Sequence, residues 1–236
     1  MPVVTVSGNT AGGAREIGEM TARLLGVDFV DQQLMVQAAQ RCGVPVGAVA
    51  EHDERCSSFK DRVSALFRTF LERSAASGAD PLSGATGLEV ILSRSYADMA
   101  LDQEEAQISD QLYLKTMTAV IEELAAGGNI VLLGRGSQMI LKDMPAAMHV
   151  LCTAPQKVRA YRLAERDGFG IEEATRRTAE NDRAQIAYYR KFWKVDFEDP
   201  KLYDLTVDTS RLSYEIAADV IASAARAKAL VTAPAA

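Results

Sequence analysis

The sequence predicts an α/β fold, a parallel sheet flanked by helices, and three observations carry that prediction. A β-branched run, Val3-Val4-Thr5-Val6-Ser7, passes through a glycine-containing turn directly into a helical period. The strand–helix–strand unit that this run opens is complete by Val30, and so short a unit implies parallel pairing with a right-handed crossover. Three further apolar segments downstream, each preceded by a helical stretch, extend the same alternation to five strands.

Taken in order, residues 3–7 read as a buried strand. Ile17, Met20, Thr21 and Leu24 recur at helical spacing, and Gly26 closes that helix. Val27-Asp28-Phe29-Val30 is the second strand and ends at Asp31, either a ligand-facing carboxylate at the sheet's carboxyl edge or the N-cap of the next helix. Gln32–Arg41 reads as a helix stopped near Gly43 and Pro45. A longer one follows Ser57, with Val63, Leu66, Phe67, Phe70 and Leu71 as its apolar stripe. Residues 78–87 are turn-rich, a helix follows from Leu88, and another starts near Ser109 with Tyr113, Met117, Val120, Ile121 and Leu124 on one side. This stretch is longer than a crossover needs and is expected to be a helical insertion, residues 44–108, forming a substrate wall or a dimer surface.

Asn129–Leu133 is expected as the central strand, running into Gly134-Arg135-Gly136-Ser137, where an Arg projects from the sheet edge. A short helix follows. Met148-His149-Val150-Leu151 is the fourth strand, and Thr153, Pro155 and Gln156 open a helix carrying Arg159, Arg162 and Arg166 roughly on one face. Gly168-Phe169-Gly170 breaks it. A long polar helix over Ile171–Trp193 holds Arg176, Arg177, Asp182, Arg183 and Arg190 and ends in an aromatic cluster. Tyr203-Asp204-Leu205-Thr206-Val207 is the fifth strand, and Ser213 caps a last helix with Ala217, Val220, Ile221 and Ala224 facing inward. Residues 231–236 are expected to fray.

Composition narrows the function. The 236 residues suit one large α/β domain or a core with an insertion, and 48% hydrophobic against 25% charged residues can bury a sizeable core. A net charge of −6 argues against a general binder of polymeric nucleic acid, yet residues 157–194 carry a local +4. That segment reads as a solvated helical face or as a seat for a small anion. No apolar run has the length of a membrane span, and the start lacks a signal core. Cys42, Cys56 and Cys152 are scattered without a C-x-x-C pair, which fits a reducing cytoplasm. His52 and His149 are the only histidines, too few for a histidine-rich metal site.

The chemistry-bearing stretch is the first turn. Gly8 and Gly13 have the spacing of the two glycines in the G-x-x-x-x-G-K-[ST] phosphate loop. Ala14 stands where that motif has Lys, and Arg15 where its Ser or Thr would hold magnesium. Taken alone, the stretch suits a phosphate cradle and also an ordinary strand–turn–helix connection.

Four features in order give the chain a family likeness. They are Gly12-Gly13-Ala14-Arg15-Glu16-Ile17-Gly18, the Leu25–Asp31 turn into strand two, Gly134-Arg135-Gly136, and Tyr203-Asp204-Leu205-Thr206-Val207-Asp208-Thr209-Ser210. With Glu180-Asn181-Asp182-Arg183 between the last two, the chain resembles bacterial cytidylate kinase, specifically its divergent cytidylate kinase-like branch, over roughly residues 3–225. The resemblance implies a P-loop kinase fold with a five-stranded parallel sheet flanked by helices, a helical substrate-side insertion and a helical lid. It implies one kinase domain over residues 1–236: a core of about 1–43, 109–155 and 203–230, the insertion, and an arginine-bearing lid over about 156–194.

The implied activity is phosphoryl transfer from ATP, with Mg2+, to a small phosphorylated acceptor, CMP or dCMP first. The implied phosphate cradle is Gly8, Asn9, Thr10, Ala11, Gly12, Gly13, Ala14, Arg15 and Glu16. Asp31 would face the acceptor or a magnesium-bound water, and Arg135 would grip the acceptor's phosphate. Arg159, Arg162, Arg177, Asp182 and Arg183 are the lid candidates, with Arg15, Asp31, Arg135, Asp182 and Arg183 nearest the chemistry. Thr10, or else Ser7, would supply the missing hydroxyl ligand to magnesium. Arg15 would have to reach back to replace the loop Lys, to which it is not equivalent. The expected partner is a nucleotide, with neither polymeric nucleic acid nor membrane, and a homodimer through the insertion is a further expectation. Two alternatives stay open: a kinase for another small acceptor, and a degenerate nucleotide-binding protein acting through a protein partner.

Overall fold

A computed structural model describes residues 1–36, 85–100 and 110–231. The part of the expected Gln32–Arg41 helix beyond residue 36, the helix after Ser57 and most of the turn-rich stretch 78–87 lie outside these residues. Three positions of that turn-rich stretch are instead helical, since a helix starts at Ala85 rather than Leu88.

The elements run β1 (Val3–Gly8), α1 (Ala14–Leu25), β2 (Asp28–Val30), α2 (Ala85–Ser93), α3 (Tyr96–Ala100), α4 (Asp110–Ala126) and β3 (Ile130–Leu133). They continue with α5 (Ser137–Ile140), β4 (Ala147–Thr153), α6 (Gln156–Asp167), α7 (Ile171–Trp193), β5 (Leu205–Asp208) and α8 (Tyr214–Val231). The chain is also helical over residues 32–36. The sheet has five strands in the order β2-β3-β1-β4-β5. Parallel registers place Val3 beside Ile130 and Ala147, and Val150 beside Leu205. The chain leaves β1 toward β3 on one side and β4 on the other, so the carboxyl end of β1 is the switch point where such sheets open a crevice.

β1 is apolar because it is central and covered on both faces. Val4 and Val6, with Val131, Met148, Val150, Cys152 and Val207, pack under Ile17 and Ala22 of α1 and Ala217, Ala218, Ile221 and Ala225 of α8. Thr5 and Ser7 point the other way, to His149 and Gln138. The inward stripes differ from expectation at two positions. Leu24 and Val220 are exposed, whereas Ala14, Gly18, Ala218 and Ala222 are buried. Small residues fill these faces because α1 and α8 pack on each other and on the sheet, and Phe29 lies 2.8 Å from where a Gly18 Cβ would stand.

Two compact units divide the chain. One holds residues 1–29, 95–104 and 128–236, and the other residues 30–94 and 105–127. Residues 95–100, within the expected insertion, group with the sheet because α3 packs on α7, Tyr96 edge-on to Tyr188 at 4.8 Å. Ser95 and Asp98 start α3 with a reciprocal capping pair. In the second unit, Tyr113, Met117, Val120, Ile121 and Leu124 are buried on α4, as their spacing predicts, and α4 packs against α2.

Candidate active site

β1 ends at Gly8, and the chain turns through Asn9, Thr10, Ala11 and Gly12 before α1 starts behind Gly13. The Gly12 N–H donates to the Asn9 carbonyl at 2.8 Å and closes the turn. Ala11 and Gly13 are left-handed, at φ 59° and 86°. Left-handed residues in such a turn gather amides into an anion-binding concavity, and the helix N-terminus adds partial positive charge. A Cβ on Gly8 would meet the Cys152 carbonyl oxygen at 2.6 Å, and one on Gly13 the Tyr214 ring at 2.6 Å. The turn therefore fits a phosphate chain in backbone geometry and glycine placement, without the motif's Lys.

Helices α6 and α7 lie against this turn. Arg159, only 5% exposed, donates to the Ala154 carbonyl at 2.9 Å and the Thr10 carbonyl at 3.3 Å. It also holds Asp182 bidentately at 3.0 and 2.7 Å. Asn9 donates to Glu198 at 2.8 Å and to Asp182 at 3.4 Å. Gln185 donates to the Gly8 carbonyl at 3.3 Å. Arg162 lies over the Tyr214 ring and donates to the Thr209 hydroxyl and carbonyl at 2.8 and 2.7 Å, while that hydroxyl donates to the Gly12 carbonyl at 3.0 Å.

At the neighbouring strand end, Gly134, Arg135 and Gly136 are all left-handed, at φ 68°, 60° and 71°. The Gly134 N–H still donates to Val6, so this bend starts at the edge where β1 ends. Arg135 is 4% exposed; its N–H donates to the Tyr96 hydroxyl at 2.9 Å, and its guanidinium lies 5.5 Å from that ring. Left-handed backbone costs a non-glycine residue about 1–2 kcal/mol, here imposed by the packing around it. Below the bend, Gln138 accepts from Ser7 and donates to the Tyr189 and Tyr203 hydroxyls.

A cleft of about 330 Å³ opens between Thr10 and the α6–α7 pair, lined by Arg166, Arg176, Arg177, Phe169, Asn181 and the carboxylates of Asp167 and Glu180, among others. Arg177 stacks 4.0 Å from the Phe169 ring. Arg177, then Arg176, holds the Glu173 carboxyl below its ordinary range.

The structure brings most expected residues to one place, with roles that the sequence did not separate. Arg159 and Asp182 are bonded to the turn, Arg162 reaches it through Thr209, and Arg177 shares the cleft with Thr10. Arg183 is exposed, and its guanidinium makes no hydrogen bond or ion pair among the described residues. Arg15 is half-exposed on α1 and pairs with Glu19 at 3.2 Å; Glu16 is in the same first turn. Asp31 belongs to the other unit, where its carboxylate accepts the Leu34 N–H at 2.8 Å as a helix cap. The Ser7 hydroxyl is buried and donates to Gln138. Sequence reasoning gave no role to Gln185, Thr209, Tyr214 or Tyr96. Gln185 had a signal, its i+3 spacing from Asp182 on one helix face.

Comparison with known proteins gives the family and the fold. The model of the cytidylate kinase-like family matches residues 3–211. A cytidylate kinase of Methanopyrus kandleri is 36% identical over 100 residues, 39% of this chain and 51% of that protein. One of Aeropyrum pernix is 31% identical over 137 residues, covering 58% and 76%. The chain thus spans about half the length of the first of these relatives. A crystal structure of an uncharacterized protein from Eubacterium ventriosum matches 96% of this chain and 98% of its own with a TM-score of 0.62 at 14% identity, a likeness of fold.

Proposed function

The chain belongs to the cytidylate kinase-like family, and from that premise we propose that it transfers a phosphoryl group from ATP to a small phosphorylated acceptor, CMP or dCMP. One observation carries the reading: the glycine turn at the end of β1 and the buried Arg135 at the end of β3 start from the same sheet edge. Phosphoryl transfer asks mainly for positioning and positive charge, and these two groups are suited to the donor and the acceptor phosphate.

In this reading the amides of residues 8–14 hold the donor phosphates. Arg135 holds the acceptor phosphate through its planar fork, oriented by Tyr96. Arg177 and Arg183 supply mobile charge from α7. Magnesium would arrive on the nucleotide, with Thr10 as the protein's candidate ligand; when bound it would neutralise charge on the phosphate oxygens. In this reading the lid is about residues 156–194 and the reaction runs in the cytoplasm. Among the described residues no helix is long and apolar enough to cross a membrane.

Ala14 and the Arg15–Glu19 pair favour one competing reading, a nucleotide-binding protein without transferase activity. The test is to incubate the protein with ATP, Mg2+ and each nucleoside monophosphate separately, following ADP and the new diphosphate. Diphosphate from CMP or dCMP is the expected result. ATP binding without transfer to any nucleoside monophosphate would replace the kinase reading with the competing one, and absence of ATP binding would overturn both.

A further inference from the structure

Three carbonyls of the glycine turn, at alternate positions, accept a hydrogen bond from a side chain outside the turn. Gly8 is held by Gln185 of α7, Thr10 by Arg159 of α6, and Gly12 by Thr209 beyond β5. A peptide unit is planar and trans, so its N–H points opposite to its C=O. Fixing the carbonyls of residues 8, 10 and 12 therefore aims the N–H groups of Asn9, Ala11 and Gly13 away from the three bracing side chains. We infer that Gln185, Arg159 and Thr209 are positioning residues, which set the peptide planes of the turn so that alternate amides face an anionic phosphate chain.

Two of the three braces are themselves held. Asp182 accepts both arms of Arg159, and Arg162 donates twice to Thr209 while its guanidinium rests on Tyr214. Tyr214 in turn stands against the Gly13 backbone. The arrangement has a chemical consequence in this chain. With Ala14 in place of the motif's Lys, no side-chain charge at that position gathers the phosphates, so binding rests more heavily on amide dipoles, whose value depends on their being oriented before the ligand arrives. The inference deepens the proposed kinase reading and rests on it for the identity of the anion.

The test uses the whole protein with Thr209→Val, which removes the hydroxyl at nearly constant shape, Thr209→Ser, which keeps it, and Gln185→Leu as a second brace. Amide hydrogen exchange over residues 8–16 is followed without nucleotide, and ATP affinity is measured separately. Thr209→Val and Gln185→Leu are each expected to speed exchange in that segment and to weaken ATP binding by about fivefold, the weight of one hydrogen bond. Thr209→Ser should restore both. Unchanged exchange in both folded variants, or faster exchange spread equally over the sheet, would overturn the inference. Failure of the unaltered protein to bind ATP would sink the kinase reading instead, leaving the exchange result to judge the braces.

Discussion

His149 shows how one buried titratable group ties the sheet to pH. Burial, the largest influence, holds its imidazole below the ordinary value of 6.5; Asp204 opposes the shift and Lys228 adds to it. The ring nitrogen Nδ1 lies 2.8 Å from the Thr5 hydroxyl, and the backbone N–H donates to Asp204 at 2.8 Å. As pH falls through about 6.5, the unfolded chain takes up a proton that the folded chain still refuses. The unfolded state then binds more protons, so the His149 contribution is present above that pH and is lost below it. The urea midpoint is expected to fall between pH 7.5 and about 5.5, and His149→Asn should flatten that slope. An equal slope in the variant would assign the dependence to other groups.

At the scale of elements, the bend after β3 depends on the end of α7. Tyr188, Tyr189, Phe192 and Trp193 form a ring cluster, with Tyr188 and Trp193 centroids 5.5 Å apart. A Cβ on Gly136 would stand 2.2 Å from the Trp193 ring, at a φ of +71° that a side chain resists. Gly168, the cap of α6, has a similar φ of +74° but nothing within 4 Å of its added Cβ. Gly168→Ala should therefore cost only the backbone strain, about 1–2 kcal/mol. Gly136→Ala should cost about 2–4 kcal/mol, since overpacking adds to the strain. Chemical denaturation of the pair checks this, and equal losses would mean that Trp193 moves aside freely.

For the whole molecule, a ligand that binds the folded state alone raises its stability by mass action. The glycine turn touches β1, α1, α6, α7 and the segment beyond β5, so a nucleotide seated there is expected to stabilise the sheet-bearing unit as one body. At a hundredfold excess over its Kd the gain is about 2.7 kcal/mol, or roughly 5–11 °C in Tm for a chain of this length. A melting curve with ATP and Mg2+ checks the shift. An unchanged Tm at saturating nucleotide would mean that ATP does not prefer the folded state.

The sequence by itself determined the alternation of strands and helices, the glycine spacing of the turn, and the arginine-rich interval between β4 and β5. These are local properties, carried by β-branched runs, 3.6-residue periodicity and the spacing of turn glycines. Only the tertiary structure decided what each Arg does. Arg159, Arg162 and Arg166 lie roughly along one helix face, yet the first holds the turn, the second holds Thr209, and the third lines the cleft beside Asp167. The alternate bracing of Gly8, Thr10 and Gly12 was likewise illegible beforehand, because Gln185, Arg159 and Thr209 come from segments far apart in the chain. The reason is physical: propensity and period act through neighbours within a few residues, whereas a hydrogen bond to the turn depends on which distant side chain the packed sheet brings within about 3 Å.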